Sequence, residues 1–411
     1  MTTTVEGFNP FDNAQDIPWE RFAELREECP VSMLETGQYF LTRYDDVHDA
    51  LKDGGERLHN FAHEGGMRAP GVVVPEEEQL INEMDGARHT RRRKLLMTAL
   101  HPRLISGAEP YIRDLSARLL APMLERGSGD LVAEFTQPLP GMVFAHVLGL
   151  PEEDYPRFKA WGEEVLADTY PTLNRTERGE GLHGAHPEFS AYIDGLVAER
   201  RLDPRDDLIT RMTQPNPEGD VLSDTEIRVT VMHLIIAGHE TTTNLLGNLL
   251  EHLLSTPDDL ARMRADPAMI AVAVEESLRR DPPVLIQPKT CVHAIEKQGA
   301  VVEEDTRVVL SLAAANRDGT VYPNPAEFVL DRANPAPHNS FGGGAHFCPG
   351  APLARLEGRV SLEVFLDLVA DAHLPADHHH EKVPVFWANG PEHLPVTIRP
   401  VTIRPVTLTP G

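Results

Sequence analysis

Residues 223–256 constrain the fold of this chain more than any other stretch. Ser223, followed three residues later by Glu226, makes a capping-box pattern, and no proline interrupts the chain until Pro257. The segment therefore reads as one helix of about 33 residues, roughly 50 Å long at the standard rise. Its apolar positions wrap most of the circumference, as expected of a helix crossing the interior of a large domain. The chain of 411 residues is long enough to surround it as one large domain or two tightly packed ones. Most of the remainder also reads as helix, with short β regions in VSMLETGQYFLTRY and in residues 294–312. VTIRP occurs twice in succession, at 396–400 and 401–405, and the second copy reads as a tail extension.

Within the long helix lies AGHETT, residues 237–242. Gly238 weakens a helix interior, and the Thr241 hydroxyl can turn back to the carbonyl of Ala237, competing with a backbone bond. Glu240 places a carboxylate beside this turn. Read alone, the hexapeptide fits a local helix bend with polar residues facing a neighbour better than it fits a catalytic turn. In EESLRR, Glu276 and Arg279 lie three apart and share a helical face; spacing alone does not separate a surface bridge from a buried pair.

The chain has three cysteines, Cys29, Cys291 and Cys348. An odd number spread over this length argues against a secreted disulfide framework and for a reducing compartment, and with no leader or apolar membrane-length run the expected location is the cytoplasm. Cys348 sits in FGGGAHFCPG, residues 341–350, where glycines allow close backbone approach and inward-pointing amides. The following segment has a helical pattern with Pro352 in its first turn, so the thiolate would also feel a helix N-terminus. Zinc needs three or four protein ligands, and no companion Cys or His spacing accompanies Cys348. The DHHHE tract at 377–381 reads as a solvated loop. A lone thiolate suits a metal that arrives with four nitrogens of its own, which is haem.

FGGGAHFCPGAPLAR resembles the haem-binding loop of the cytochrome P-450 family, F-G-x-G-x-H-x-C-x-G followed by L-A-R, at every fixed position. AGHETT resembles the family's oxygen-binding motif, EESLRR contains its E-x-x-R, and NRDGTVYPNPAEFVLDR resembles the segment preceding the haem loop. The similarity runs from about PVSMLETGQYFLTRYDDV to HLPVTI. It implies one mainly α domain over 1–411 with small β-sheets, an N-terminal arm of about 20 residues, a tail from about 401, and the long helix crossing over the haem.

By this resemblance Cys348 is the proximal ligand of haem b, with Phe341 beside the sulfur and Gly342, Gly350, Ala237 and Gly238 against the cofactor. His89 and Arg93, four apart on one face, and His346 match haem-propionate contacts. Lys289 stands where bacterial relatives often have arginine, keeping charge but losing the planar fork. Glu276, Arg279 and Arg332 match a buried structural network. Thr241 and Glu240, the latter where many members have aspartate, match the pair that supplies protons when O2 is cleaved. The substrate pocket would draw on residues 62–80, on Leu234 and Ala237, on Val284, Leu285 and Ile286, and on Phe386 and Trp387. Residues 173–189 read as a mobile connection over it.

These expectations describe a bacterial monooxygenase of secondary metabolism or catabolism that hydroxylates or epoxidises an apolar or amphipathic molecule. A haem-thiolate peroxygenase or isomerase and a non-catalytic haem protein remain the alternatives. No flavin, nicotinamide or iron-sulfur motif is visible, so electrons would come from NAD(P)H through a ferredoxin reductase and ferredoxin. Against 64 Asp and Glu there are 38 Lys and Arg, a net charge of −26, which disfavours nucleic acid and anionic membrane as partners. The basic run RHTRRRK, residues 88–94, stands out on that background. Arg91, Arg92 and Lys94 would offer an acidic ferredoxin a landing site, or form a solvated helical face. A monomer is expected.

Overall fold

The computed structural model describes residues 3–13, 16–60, 76–169, 186–332 and 337–401. The long helix spans Asp224–Ser255 with Ser223 as its N-cap. Both bonds of the capping box form: the Ser223 hydroxyl accepts from the Glu226 amide at 3.1 Å, and Glu226 accepts from the Ser223 amide at 2.9 Å. Thr256 closes the helix, and Pro257 opens the next one, Pro257–Ala265. The long helix's buried positions include Ile227, Val229, Val231, Met232, Leu246 and Leu254, which spread over more than half of its circumference and cannot all lie on one face. Accordingly it packs against helices on several sides, among them Pro138–Leu148, Pro187–Leu202, Met269–Arg280 and Ala351–Leu368.

The β structure is small and lies to one side. A six-stranded sheet has the order Thr3–Val5, Val31–Leu34, Tyr39–Leu41, Thr306–Ser311, Ile286–Cys291, Leu58–His59. Both β regions expected from alternation enter it. The hairpin Ile295–Lys297 with Ala300–Val302 turns through Gln298 and Gly299 at φ 51° and 74°, left-handed conformations that a two-residue hairpin turn demands. The first VTIRP copy forms the strand Pro395–Pro400 between Ser128–Asp130 and Val369–His373. The second copy, apart from Val401, lies outside the described residues.

Three clusters of buried apolar residues hold these parts. The largest lies among the helices, and two smaller ones flank the sheet. Among the described residues no helix is long and apolar enough to cross a membrane.

Candidate active site

Between the long helix and the Cys348 loop lies a cavity of about 400 Å³. The loop is closed by turns: the Gly342 amide donates to Asn339 O at 2.9 Å and the Cys348 amide to Phe341 O at 2.8 Å. Its glycines serve two ends. A Cβ on Gly344, whose φ is +58°, would come within 2.9 Å of Leu51 O, so Gly344 and its neighbour Gly343 let the loop lie against the helix Tyr44–Lys52. Gly350 instead faces the sulfur, where a Cβ would stand 3.8 Å from Cys348 Sγ. Burial pushes the Cys348 thiol up, and the amides of Gly350 and Ala351, with the charges of Arg93 and Arg355, work against it by favouring the thiolate. Phe341 lines the cavity under the Arg355 guanidinium, which lies 4.5 Å from its ring centroid. The helix Ala351–Leu368 starts directly behind the cysteine, with its proline in the first turn as the sequence predicts.

A basic rim borders the same cavity. His89 and Arg93 reach it from the helix Gly86–Ala99, His346 from the cysteine loop and Lys289 from the sheet. His89 stacks on His346 at 3.9 Å, and burial together with the nearby His346 and Arg93 lowers its pKa to about 4. His346 Nε2 bonds Asp85 Oδ1 at 2.9 Å. Lys289 is 3% exposed and donates to Asn60 Oδ1 at 2.9 Å. Arg93 donates to Phe347 O. Arg307, which sequence reasoning missed, joins them from the strand opposite Thr290. It lies two residues before the cavity-lining Val309, so strand alternation carries the signal. Burial pulls down the pKa of Arg93, Lys289 and Arg307, and among the described residues none of the three forms an ion pair. Cations drawn partly or wholly into the wall with no carboxylate bonded to them are what a dianionic macrocycle edge would meet, so these residues fit haem.

The opposite wall is the long helix. Ala237, Gly238 and Thr241 face the cavity, and Thr241 Oγ1 donates to Ala237 O at 2.7 Å, the back-bond expected from sequence. Glu240 faces elsewhere. It lines a second cavity of about 40 Å³ with Tyr155, Lys159 and His239, room for about three waters. Among the described residues its Oε2 has no hydrogen-bond partner, and burial raises its carboxyl to about 7.

On the remaining walls Leu234, Val284, Ile286, Phe386 and Trp387 all line the cavity. Leu285 does not: along an extended strand its side chain points opposite to Val284 and Ile286, and it is 4% exposed in the core beside the sheet. Residues 61–75 and 170–185, which hold most of the expected 62–80 wall and of the 173–189 connection, lie outside the described residues. Residues 76–80 stay off the cavity, and Ile81 and Asn82 line it instead. His233, one turn before Ala237, and the buried Glu357 also line it and were not anticipated. His233 was legible from the helical period, four residues before Ala237.

Three further expectations meet the structure. Glu276 bonds Arg279 at 2.7 and 2.8 Å and Arg332 at 2.9 Å, and Arg279 also donates to the carbonyls of Asn316, Pro325 and Glu327. Burial alone would raise the Glu276 pKa; the two guanidiniums hold it below the usual range. The basic run is not a free landing site. Arg92 is buried against Glu226, Arg91 pairs with Asp220 and Glu226, and Lys94 pairs with Glu218, because this helix packs under an acidic segment. Nor is DHHHE simply solvated: His378 and His380 both bond Glu251 of the long helix, at 2.8 and 2.7 Å. Among the described residues no cluster of three His, Cys, Asp or Glu side chains could hold a metal ion.

Comparison with known proteins agrees with this geometry. The model of the cytochrome P-450 family matches residues 8–368. The chain is 34% identical over 403 residues to the erythromycin C-12 hydroxylase of Saccharopolyspora erythraea, covering 96% of this chain and 98% of that protein. It is 35% identical to the vitamin D(3) 25-hydroxylase of Pseudonocardia autotrophica over 88% of this chain and 90% of that one. Among solved structures, cytochrome P-450 CYP109Q5 from Chondromyces apiculatus superposes with a TM-score of 0.84 at 32% identity, covering 94% and 96% of the two chains. A thiol in a glycine loop, a basic rim and a polar turn in a helix crossing above them thus belong to a known architecture, and this chain is a member of the cytochrome P-450 family, a monooxygenase whose cofactor is haem b.

Proposed function

We propose that this monooxygenase hydroxylates or epoxidises an apolar or amphipathic small molecule, using O2 and two electrons passed from NAD(P)H through a separate reductase and ferredoxin. The relatives named for erythromycin and vitamin D(3) hydroxylation support a substrate of that character and a place in secondary metabolism or catabolism. The apolar wall of Leu234, Val284, Ile286, Phe386 and Trp387 supports it independently. Ligated by the Cys348 thiolate, haem b supplies O–O cleavage and oxygen insertion.

The chain's own residues hold the cofactor and manage protons. Cys348 gives the thiolate, and Arg93, Lys289, His89 and His346 meet the propionates. Thr241 presents its hydroxyl to the cavity from a turn already bonded to Ala237 O. Glu240, one residue away, takes up protons through the small cavity it lines and passes them toward Thr241. The observation that carries this reading is the Thr241 hydroxyl held at the wall of the cavity that Cys348 lines, with the carboxyl of the next residue, Glu240, buried in the adjoining small cavity and raised to about 7, since a group titrating near neutrality both accepts and releases protons at working pH. The test is twofold. The reduced carbon-monoxide complex should show the strongly red-shifted Soret band of thiolate ligation, and Thr241→Ala should keep that band while product formed per NADH falls several-fold. Unchanged product per NADH would remove Thr241 from proton delivery.

A further inference from the structure

Among the polar side chains that line the main cavity, two on its apolar side take no part in oxygen chemistry. His233 stands on the long helix one turn before Ala237, and Asn82 lies in the short helical turn Ile81–Glu83. His233 Nδ1 and Asn82 Oδ1 are both buried, and neither has a hydrogen-bond partner among the described residues. The residues beside them in the chain that also line the wall, Ile81 and Leu234, are apolar. Unpaired polar atoms in such a wall destabilise the empty protein, because they have lost water and gained nothing. A ligand group that pairs them recovers that loss.

The chemistry of the two groups narrows what the ligand brings. Burial is the only influence on the His233 imidazole, lowering its pKa to about 4, so the ring is neutral and no charged side chain stands close enough to shift it. A neutral imidazole offers one donor and one acceptor, and the Asn82 oxygen is an acceptor. A carboxylate would bring only acceptors and find no cation close to His233. A ketone would leave the Asn82 oxygen unpaired. A hydroxyl group both donates and accepts, and matches the pair.

We propose that His233 and Asn82 form a hydrogen-bonding subsite for a hydroxyl group of the substrate, the rest of which lies against the apolar walls. The natural substrate is then an alcohol-bearing apolar molecule, neither a plain hydrocarbon nor a fatty acid held by its carboxylate. This rests on the haem-monooxygenase reading of the same cavity and adds a substrate class to it.

The subsite is tested by binding, without knowledge of the substrate. The probes are 4-phenylimidazole, whose free ring nitrogen coordinates ferric haem iron, and its three isomers carrying one hydroxyl on the phenyl ring. Dissociation constants are read from the Soret shift of the ferric holoprotein, native and with His233→Leu or Asn82→Leu. At least one hydroxylated isomer should bind the native protein about tenfold more tightly than the parent compound, the gain of one well-placed buried hydrogen bond. That preference should vanish in His233→Leu and weaken in Asn82→Leu, while the parent binds His233→Leu at least as tightly as it binds the native protein. Isomers that bind no more tightly than the parent, or a preference that survives in His233→Leu, would overturn the subsite and leave the monooxygenase reading standing. No Soret shift with any probe, the parent included, would show that this cavity does not open onto the haem iron and would overturn the subsite with it.

Discussion

At the scale of single residues, the site separates its tasks between the two sides of one cavity. Cys348 is the only cysteine on the wall facing Ala237 and Thr241, so Cys348→Ser should abolish the red-shifted carbon-monoxide band, which an absorption spectrum of the reduced protein checks. Glu240 makes a prediction about pH. Its carboxyl is raised from an ordinary 4.5 to about 7 by burial. A pKa raised on folding contributes stability that is fully present below the ordinary value and is lost as pH rises toward the folded value. The native protein should therefore lose stability between about pH 4.5 and 7 through this group, by at most on the order of 3 kcal/mol. Glu240→Gln should remove that share of the loss, so the variant gains melting temperature relative to native at pH 8 and not at pH 4.5. Thermal melts at the two pH values decide it.

At the scale of elements, what could be read from sequence was what is encoded locally. Ser223, Glu226 and Pro257 mark the ends of the long helix because capping bonds and proline act within a turn. The Thr241 back-bond to Ala237 is equally local. Arg92 was misread because its partner, Glu226, is 134 residues away, and no periodicity reports which charge a folded neighbour will bring. Arg307 was missed for a related reason: alternation shows that Arg307 and Val309 share a face, but not that the face borders a cavity. The Glu276, Arg279 and Arg332 network is partly legible, since two members are three apart and the third is not. It ties the helix Met269–Arg280 to the segment before the cysteine loop through the amide of Val329 and the carbonyls of Pro325 and Glu327. Glu276→Ala leaves two buried guanidiniums without their anion, which should cost about 3–5 kcal/mol. Denaturant unfolding measures this, and haem content per chain should fall in parallel. Ser223→Ala, which removes only a cap, should cost about 1 kcal/mol and leave haem content unchanged.

At the scale of the whole molecule, the main cavity is where the three apolar clusters meet. Leu245 and Leu353 belong to the helical cluster, Leu312 to one sheet cluster, and Ile286, Val309 and Trp387 to the other. A cofactor filling that junction touches every part of the core. Binding linkage at a thousandfold excess over the dissociation constant is worth about 4 kcal/mol, so stripping haem should lower the melting temperature by several degrees or more. In the holoprotein the Soret signal and helical circular dichroism should be lost in one transition. The long helix runs past this junction and is fastened beyond it on both sides. Near its start Glu226 holds Arg91 and Arg92; toward its end Asn248 donates to the carbonyls of Asp281 and Asn389, and Glu251 is gripped by His378 and His380. In mechanical terms it is a beam clamped at both supports, stiffest against sideways bending at the ends and loaded at mid-span, where Thr241 sits. A bulky occupant is then accommodated by the lighter walls yielding around the beam, and the turn that presents Thr241 keeps its place from one substrate to the next.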